Sequence, residues 1–258
     1  MSDVIVSALA TTPVKGMRLE AVDAIELDEL GARGNRAFYL IDERGSMVNA
    51  KRLGGLHTIV PSYDLDAGTL ELRFPDDARV AGTVEYGDVL QTRFLSRQRA
   101  ARELRGPWSA ALSSYFDRPL RVVAPEIGAD RGRAGATSII SRASLRRLAE
   151  VAERDSVDAR RFRMLIEIEG VCAHEEDGWI GRRVRVGEAT LRMRGNIGRC
   201  VVTSRNAETG EVDLPTLDIL GEYRRELEST EPLPFGIYGE VLQGGTVRVG
   251  DPVELADE

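Results

Sequence analysis

The chain has 258 residues, 42% of them hydrophobic and 30% charged, which suits one large β-rich domain or two modest ones and excludes collagen-like, low-complexity and wholly disordered classes. Its 35 Lys and Arg against 42 Asp and Glu leave a net charge of −7, and the arginines are scattered rather than bunched, so neither nucleic acid nor a membrane is an expected partner. Two cysteines, Cys172 and Cys200, and two histidines, His57 and His174, are too few for a disulfide framework, a four-thiolate iron–sulfur cluster or a histidine-rich zinc site.

Along the chain, apolar and polar residues alternate too frequently for helix, with Gly, Asp and Asn as punctuation. Strands are predicted at Val4–Leu9, Ala21–Leu27, Ala37–Ile41, Thr58–Leu65, Thr69–Phe74 and Val89–Leu95, separated by turns such as Asp42-Glu43-Arg44-Gly45 and Asp66-Ala67-Gly68. The start lacks a basic region before its short apolar stretch, and no run approaches the ~18 residues of a membrane span, so the expected compartment is the cytoplasm. Pro107 opens a helix with Trp108, Ala111, Leu112, Tyr115 and Phe116 on one face, and a strand follows at Leu120–Ala124. Pro125 to Gly135, rich in Gly, Arg and Asp, reads as a surface loop and sets an expected boundary between domains 1–124 and 125–258.

Beyond that seam, Ser141–Arg154 has a helical pattern opened by a serine cap, and Pro215–Arg225 places Leu217, Leu220 and Tyr223 on one helical face. Strands are predicted at Met164–Ile168, Arg183–Val186, Thr190–Arg194, Arg199–Ser204, Phe235–Leu242 and Thr246–Val249. The fold class expected is mainly β, with a few short helices and no internal repeat.

Cys200 follows Arg199 in Asn196-Ile197-Gly198-Arg199-Cys200, at the start of a predicted strand. A guanidinium near a thiol favours the thiolate, the form that attacks electrophiles, carries sulfur or ligates a soft metal. Against this, strand neighbours point to opposite faces and cysteine is usually buried, so the default for the residue alone is an inert core thiol. Lys15, Arg36 and Arg163 stand at a Gly-bearing turn or a strand start; singly each reads as surface charge, and together they suit a phosphate. The run Glu175-Glu176-Asp177 is a compact carboxylate cluster that offers Asp177 as a candidate acid, base or water-positioning group, with solvated charge as the default. No P-loop and no Gly-x-Ser-x-Gly nucleophile elbow occurs.

Several short motifs in order resemble the MOSC-domain family, named for the C-terminal domain of molybdenum cofactor sulfurase and preceded by its own N-terminal β-barrel domain. They are Pro13-Val14-Lys15, Gly34-Asn35-Arg36-Ala37-Phe38, Ser141-Arg142-Ala143, Arg161-Phe162-Arg163, Glu176-Asp177-Gly178-Trp179, Arg199-Cys200-Val201, Glu208-Thr209-Gly210, Phe235-Gly236-Ile237-Tyr238 and Val249-Gly250-Asp251. The resemblance spans nearly the whole chain and implies two β-barrel-like domains. In the amidoxime-reducing branch it implies molybdenum cofactor (molybdopterin), with Cys200 as metal ligand and catalytic group, Arg199 beside it, and Lys15, Gly16, Arg36, Arg163, Gly198 and Arg199 around the pterin. The chain departs from that branch in four places. Phe162-Arg163-Met164-Leu165 stands for Phe-Arg-Pro-Asn, Gly16 for a serine, Asn35 for an aspartate, and Arg133-Ala134-Gly135-Ala136 for polar residues upstream of the Ser141 helix.

Three function classes follow. One is a reductase of N-hydroxylated or N-oxide small molecules, fed by an electron-donor protein of the ferredoxin or flavoprotein type, because the sequence beyond Gly250-Asp251 leaves no room for a fused ferredoxin. The second is a sulfur carrier or sulfurtransferase with a Cys200 persulfide. The third is a non-catalytic ligand-binding module. A pyridoxal phosphate domain does not fit in this length.

Overall fold

A computed structural model of the chain describes residues 3–94, 97–126, 132–229 and 231–256. It is mostly β. The strands of the first half are β1 (Ile5–Thr11), β2 (Glu20–Val22), β3 (Ala24–Asp28), β4 (Gly31–Ala32), β5 (Tyr39–Ile41), β6 (Met47–Val48), β7 (Val60–Asp64), β8 (Thr69–Arg73), β9 (Arg79–Thr83), β10 (Glu85–Phe94) and β11 (Arg97–Arg105). Then come α1 (Trp108–Tyr115), β12 (Arg121–Pro125), β13 (Thr137–Ser141), α2 (Arg142–Val151), β14 (Ile166–Glu169), β15 (Arg183–Val186) and β16 (Ala189–Gly198). The chain finishes with α3 (Thr216–Tyr223), β17 (Pro234–Gln243), β18 (Gly245–Arg248) and β19 (Val253–Ala256). Among the described residues no helix is long and apolar enough to cross a membrane.

The largest sheet has eight strands in the order β19-β15-β16-β17-β13-β14-β1-β2. Its ladder does not close into a barrel. Its end strand β19 is nevertheless stitched to the β1 segment, next to the other end: Val6 N–H donates to the Asp251 carbonyl at 2.9 Å, and Val253 N–H to the Val4 carbonyl at 2.8 Å. All its pairs are antiparallel except β13 with β14, and that parallel pair needs a crossover, which α2 supplies. Ser141 caps α2, its Oγ accepting from the Ser144 amide at 3.0 Å, and the buried Leu145, Leu148 and Ala149 form the face that packs inward.

The other sheets are β10-β11-β12-β5-β6, β7-β8-β9 and β18-β3-β4. The two halves of the sequence are therefore interwoven, since β1 and β2 join the large sheet and β3 pairs with β18. One apolar core lies under the large sheet, around Val6, Ile166, Leu191 and Ile237. A second, around Phe38, Leu70, Leu72 and Leu112, is closed by α1, whose fully buried Trp108 donates its indole N–H to the Leu70 carbonyl at 3.0 Å.

Several expectations change in detail. The strand expected over Ala21–Leu27 is two strands broken at Asp23, and that expected from Met164 begins at Ile166. The strand expected at Arg199–Ser204 is not one. β16 continues to Gly198, where its last register partner on β17 is Pro234, which brings no amide donor to extend the ladder. The Cys200 carbonyl instead accepts from both the amide (2.9 Å) and the hydroxyl (3.0 Å) of Thr203, winding Val201–Ser204 into a 3-10 turn. β4, β6, β9, β11, β13 and β19 were not expected; β11 reads Arg-Gln-Arg-Ala-Ala-Arg-Glu-Leu-Arg, with five charged residues among its nine and no apolar alternation. Of the loop expected at Pro125 to Gly135, residues 127–131 lie outside the described residues, as does Leu95 of the sixth strand; the described part holds the end of β12 and a 3-10 turn at Gly132–Gly135.

Candidate functional site

Two turns from the first half are zipped side by side. Arg36 N–H donates to the Thr12 carbonyl at 2.7 Å, Lys15 N–H to the Phe38 carbonyl at 2.8 Å, and Thr12 N–H to Asn35 Oδ1 at 3.1 Å. This pairing needs unusual backbone at Gly16 (φ 95°) and at Arg36 itself (φ 53°). At Gly16 a Cβ would stand 3.3 Å from the Ala50 amide nitrogen, so the turn packs directly on its neighbour. Asn35, where the resembled branch has aspartate, thus keeps an acceptor for the Thr12 amide.

Across from these turns, Arg163 ends a 3-10 turn at Ala159–Phe162 in left-handed conformation (φ 55°), rather than starting a strand. Its Nη2 donates to the Met17 carbonyl at 2.8 Å, while Arg36 Nη2 donates to the Arg163 carbonyl at 2.8 Å. Burial pushes the Arg36 guanidinium down to about 10 and that of Arg163 down to about 9, the latter helped by the charge of Arg36. Both remain cations at neutral pH.

These groups line a cavity of about 700 Å³ shared with Cys200. The structure brings together Lys15, Gly16, Arg36, Arg163, Gly198, Arg199 and Cys200, every candidate except Asp177. Further lining cations are Arg97, Arg99 and Arg161, and no Asp or Glu occurs among the described lining residues. The charges differ in availability. Arg161 is held by Asp213 through two hydrogen bonds of 2.6 and 2.7 Å, which lower the Asp213 carboxyl. Lys15 and Arg99 flank the Phe94 ring at 5.6 and 5.0 Å from its centroid.

Cys200 is exposed, which corrects the default of an inert core thiol. Arg199 is buried and acts elsewhere. Its Nε donates to the Phe235 carbonyl and its Nη1 to the Phe162 carbonyl, both at 2.8 Å, and the guanidinium lies over the Phe162 ring. It ties β17 and the Arg163 turn to the end of β16, and so fixes where the thiol stands. Gly198 has no room for a side chain, because a Cβ would come within 2.8 Å of Glu231 Oε2.

Two of the three carboxylates in the acidic run are not solvated charge, while Glu175 is exposed. Glu176 is fully buried and accepts from the Ser141 amide (3.1 Å), the Ser141 hydroxyl (2.9 Å) and the Ser144 hydroxyl (2.7 Å). Burial raises its carboxyl above the ordinary range despite those donors. Asp177 stands off the cavity lining, accepting at Oδ1 from Asn196 Nδ2 (2.8 Å) and at Oδ2 from Arg224. The run links the start of α2, β16 and α3.

Sequence reasoning missed Thr137, Ser138, Phe94, Arg97, Arg99 and Tyr238, all on the cavity. Thr137 is the most telling. It is 2% exposed and its Oγ1 has no hydrogen-bond partner, an arrangement suited to a bound polar group. The β-branched Thr137, Ile139 and Ile140 were the available signal for β13.

Residues 4–119 match the MOSC N-terminal beta barrel domain and residues 128–254 match the MOSC domain. The chain belongs to the MOSC family. This MOSC protein is 29% identical to mitochondrial amidoxime-reducing component 1 of Xenopus laevis, over 96% of this chain and 81% of that one. It is 29% identical to the Homo sapiens protein of the same name, over 97% and 82%, and 27% identical to mitochondrial amidoxime reducing component 2 of Bos taurus, over 96% and 82%. Among solved structures it is similar to the YUAD protein from Bacillus subtilis, with a TM-score of 0.46 and 12% identity over 98% and 96% of the two chains.

Proposed function

We propose that this MOSC protein binds the molybdenum cofactor in the cavity and reduces N-hydroxylated or N-oxide small molecules with electrons from a partner protein. The observation that carries the reading is the donor set: one exposed thiol on a cavity lined by seven cations and no described carboxylate. A thiolate is a soft ligand for a metal whose pterin brings its own sulfurs, and Lys and Arg donors neutralise a phosphate. The relatives' names point to the same reaction type.

The residues fit the group. Cys200 would ligate the metal, and Lys15, Arg36 and Arg163 would hold the phosphate, with Gly16 keeping the backbone close. Thr137 Oγ1 offers a buried hydroxyl with no other partner. When bound, the cofactor supplies a redox-active metal able to exchange oxygen and electrons with a substrate. Over the net reaction the N–O bond breaks, two electrons and two protons are taken up, and the oxygen leaves as water. The electrons come from the donor protein. Arg199 holds the Cys200 turn in place, and Asp177 acts as a positioning group through Asn196 and Arg224.

The test is metal and pterin analysis of protein from a host that makes the cofactor, beside Cys200→Ser. Near-stoichiometric molybdenum that disappears in the variant is expected. Its absence from both proteins overturns the reading, and a reducible extra sulfur on Cys200 then identifies the sulfur carrier instead.

A further inference from the structure

Reduction of an N–O bond consumes protons as well as electrons, because the oxygen leaves as water. Among the described residues that line the cavity there is no Asp, Glu or His to supply one. Lys15, Arg36 and Arg163 hold the phosphate, Arg161 is neutralised by Asp213, and Arg199 donates to two backbone carbonyls. The guanidiniums of Arg97 and Arg99 do not release protons at neutral pH. Cys200 serves the metal as a thiolate, and Ser138 Oγ accepts from the Leu165 amide at 3.0 Å. The weak acid left among the described lining residues is the phenol of Tyr238.

Tyr238 closes the motif Phe235-Gly236-Ile237-Tyr238 on β17, and its register partners are Ser138 on β13 and Gly195 on β16. The β16–β17 register shifts between Met193 and Gly195 and again between Asn196 and Gly198, and bulges of this kind re-aim the side chains opposite them. At Gly195 a Cβ would stand 3.1 Å from Tyr238 Cε1 and 3.2 Å from its hydroxyl oxygen, so the ring lies against the β16 backbone in space that a glycine leaves open. That strand ends three residues later at Gly198, and Cys200 follows. The half-buried phenol therefore borders the same cavity as the thiol. The surrounding charge suits an acid of this type: a phenol that gives up its proton becomes an anion, which a lining of cations without a described carboxylate stabilises.

We propose that Tyr238 is a catalytic residue, the general acid that protonates the oxygen released when the N–O bond of the substrate breaks. This rests on the reductase reading given above. With an amidoxime, two electrons from the donor protein enter the substrate as the N–O bond breaks. The phenol O–H bond breaks in the same step, and its proton goes to the departing hydroxyl oxygen, which leaves as water. The nitrogen takes the second proton from solvent to give the amidine, and solvent reprotonates the phenolate.

Tyr238→Phe keeps the ring and removes the acid. In molybdenum-loaded protein, with benzamidoxime as substrate and reduced benzyl viologen as electron source, the variant is expected to lose about a hundredfold in kcat. Its molybdenum content and urea midpoint stay at the wild-type values, and calorimetric binding of benzamidoxime without reductant weakens by less than about tenfold. Contact is read separately by placing 3-fluorotyrosine at position 238: its fluorine resonance is expected to shift when benzamidoxime is added without reductant. Because the fluorinated phenol is the stronger acid, the alkaline limb of the kcat profile should also move to lower pH. A Tyr238→Phe protein that turns over at the wild-type rate overturns the proposal, as does a fluorine resonance indifferent to the substrate. So does loss of molybdenum from Tyr238→Phe, which would assign the phenol to the cofactor. Those three outcomes leave the reductase reading standing, whereas a wild-type protein that holds no molybdenum and reduces no amidoxime overturns that reading and the acid role together.

Discussion

Arg36 donates a hydrogen bond from its guanidinium to the backbone carbonyl of Arg163 at 2.8 Å, and both residues adopt left-handed backbone, at φ 53° and 55°. Two cations are thereby held side by side, and burial lowers the pKa of both. Such an arrangement is unfavourable without a counter-ion and favourable with one. It joins a turn of the first half to a turn of the second, so an anion that binds there also fastens the halves together.

Sulfate or inorganic phosphate is therefore expected to raise the melting temperature beyond its effect on other proteins. For a site with millimolar affinity, 100 mM anion adds about 2.7 kcal/mol of stability. Arg163→Gln should lose this increment. Calorimetric melts of both proteins in sulfate and in chloride at equal ionic strength check it, and equal increments would refute it.

Arg199→Lys should destabilise the protein by about 2–3 kcal/mol, since an ammonium cannot span the Phe235 and Phe162 carbonyls as the guanidinium does. Urea unfolding gives the number. Because Arg199 positions the turn that bears Cys200, alkylation of the thiol should also change in rate.

Cys200→Ser should alter folding stability by no more than about 0.5 kcal/mol, because the thiol is exposed and caps nothing. Both thiols, at Cys172 and Cys200, should react with a thiol reagent in the native protein, and Cys200→Ser should leave one. Thiol titration without denaturant decides this.

Glu176→Ala should cost about 3 kcal/mol, since it leaves the Ser141 amide and two serine hydroxyls without their acceptor in a buried place. Glu176→Gln, which keeps one carbonyl acceptor, should cost less. The ordering is read from urea midpoints.

Acid should weaken the fold through His57. The ring is buried, its Nδ1 lies 3.1 Å from the Asn206 carbonyl, and burial followed by the charge of Arg163 pushes its pKa down to about 4. Between pH 6.5 and 4 the unfolded chain binds the extra proton, so stability falls as pH drops through that window, by roughly 2–3 kcal/mol from this residue. Glu176, with a raised pKa, contributes in the opposite direction. The comparison of wild type with His57→Gln isolates the histidine: the variant should show a shallower loss between pH 6.5 and 4.

Part of the cavity lining was legible in the sequence. Lys15, Arg36, Arg163 and Cys200 stand in short motifs whose residue types already suggest an anion and a soft ligand, and the structure brings all four to one cavity. Arg97 and Arg99 were not legible, because the charged β11 carries no apolar alternation of the kind that marks a strand. Glu176 and Asp177 read as ordinary surface acids. Their burial depends on Ser141, Ser144, Asn196 and Arg224, and no local pattern announces such partners.

The sequence by itself determined the β-rich character, most strand positions and the set of reactive side chains. Alternation and turn residues act over a few neighbours, through backbone dihedrals and the burial of one face. Only the tertiary structure decided which of those side chains meet. The pairing of β1 with β14 and of β3 with β18 carries the first turns across to the Cys200 turn, and the Phe235 and Phe162 carbonyls draw the Arg199 guanidinium away from the thiol beside it. Contacts of that kind form between residues distant in sequence, where hydrogen-bond satisfaction and packing, rather than local propensity, select the partner.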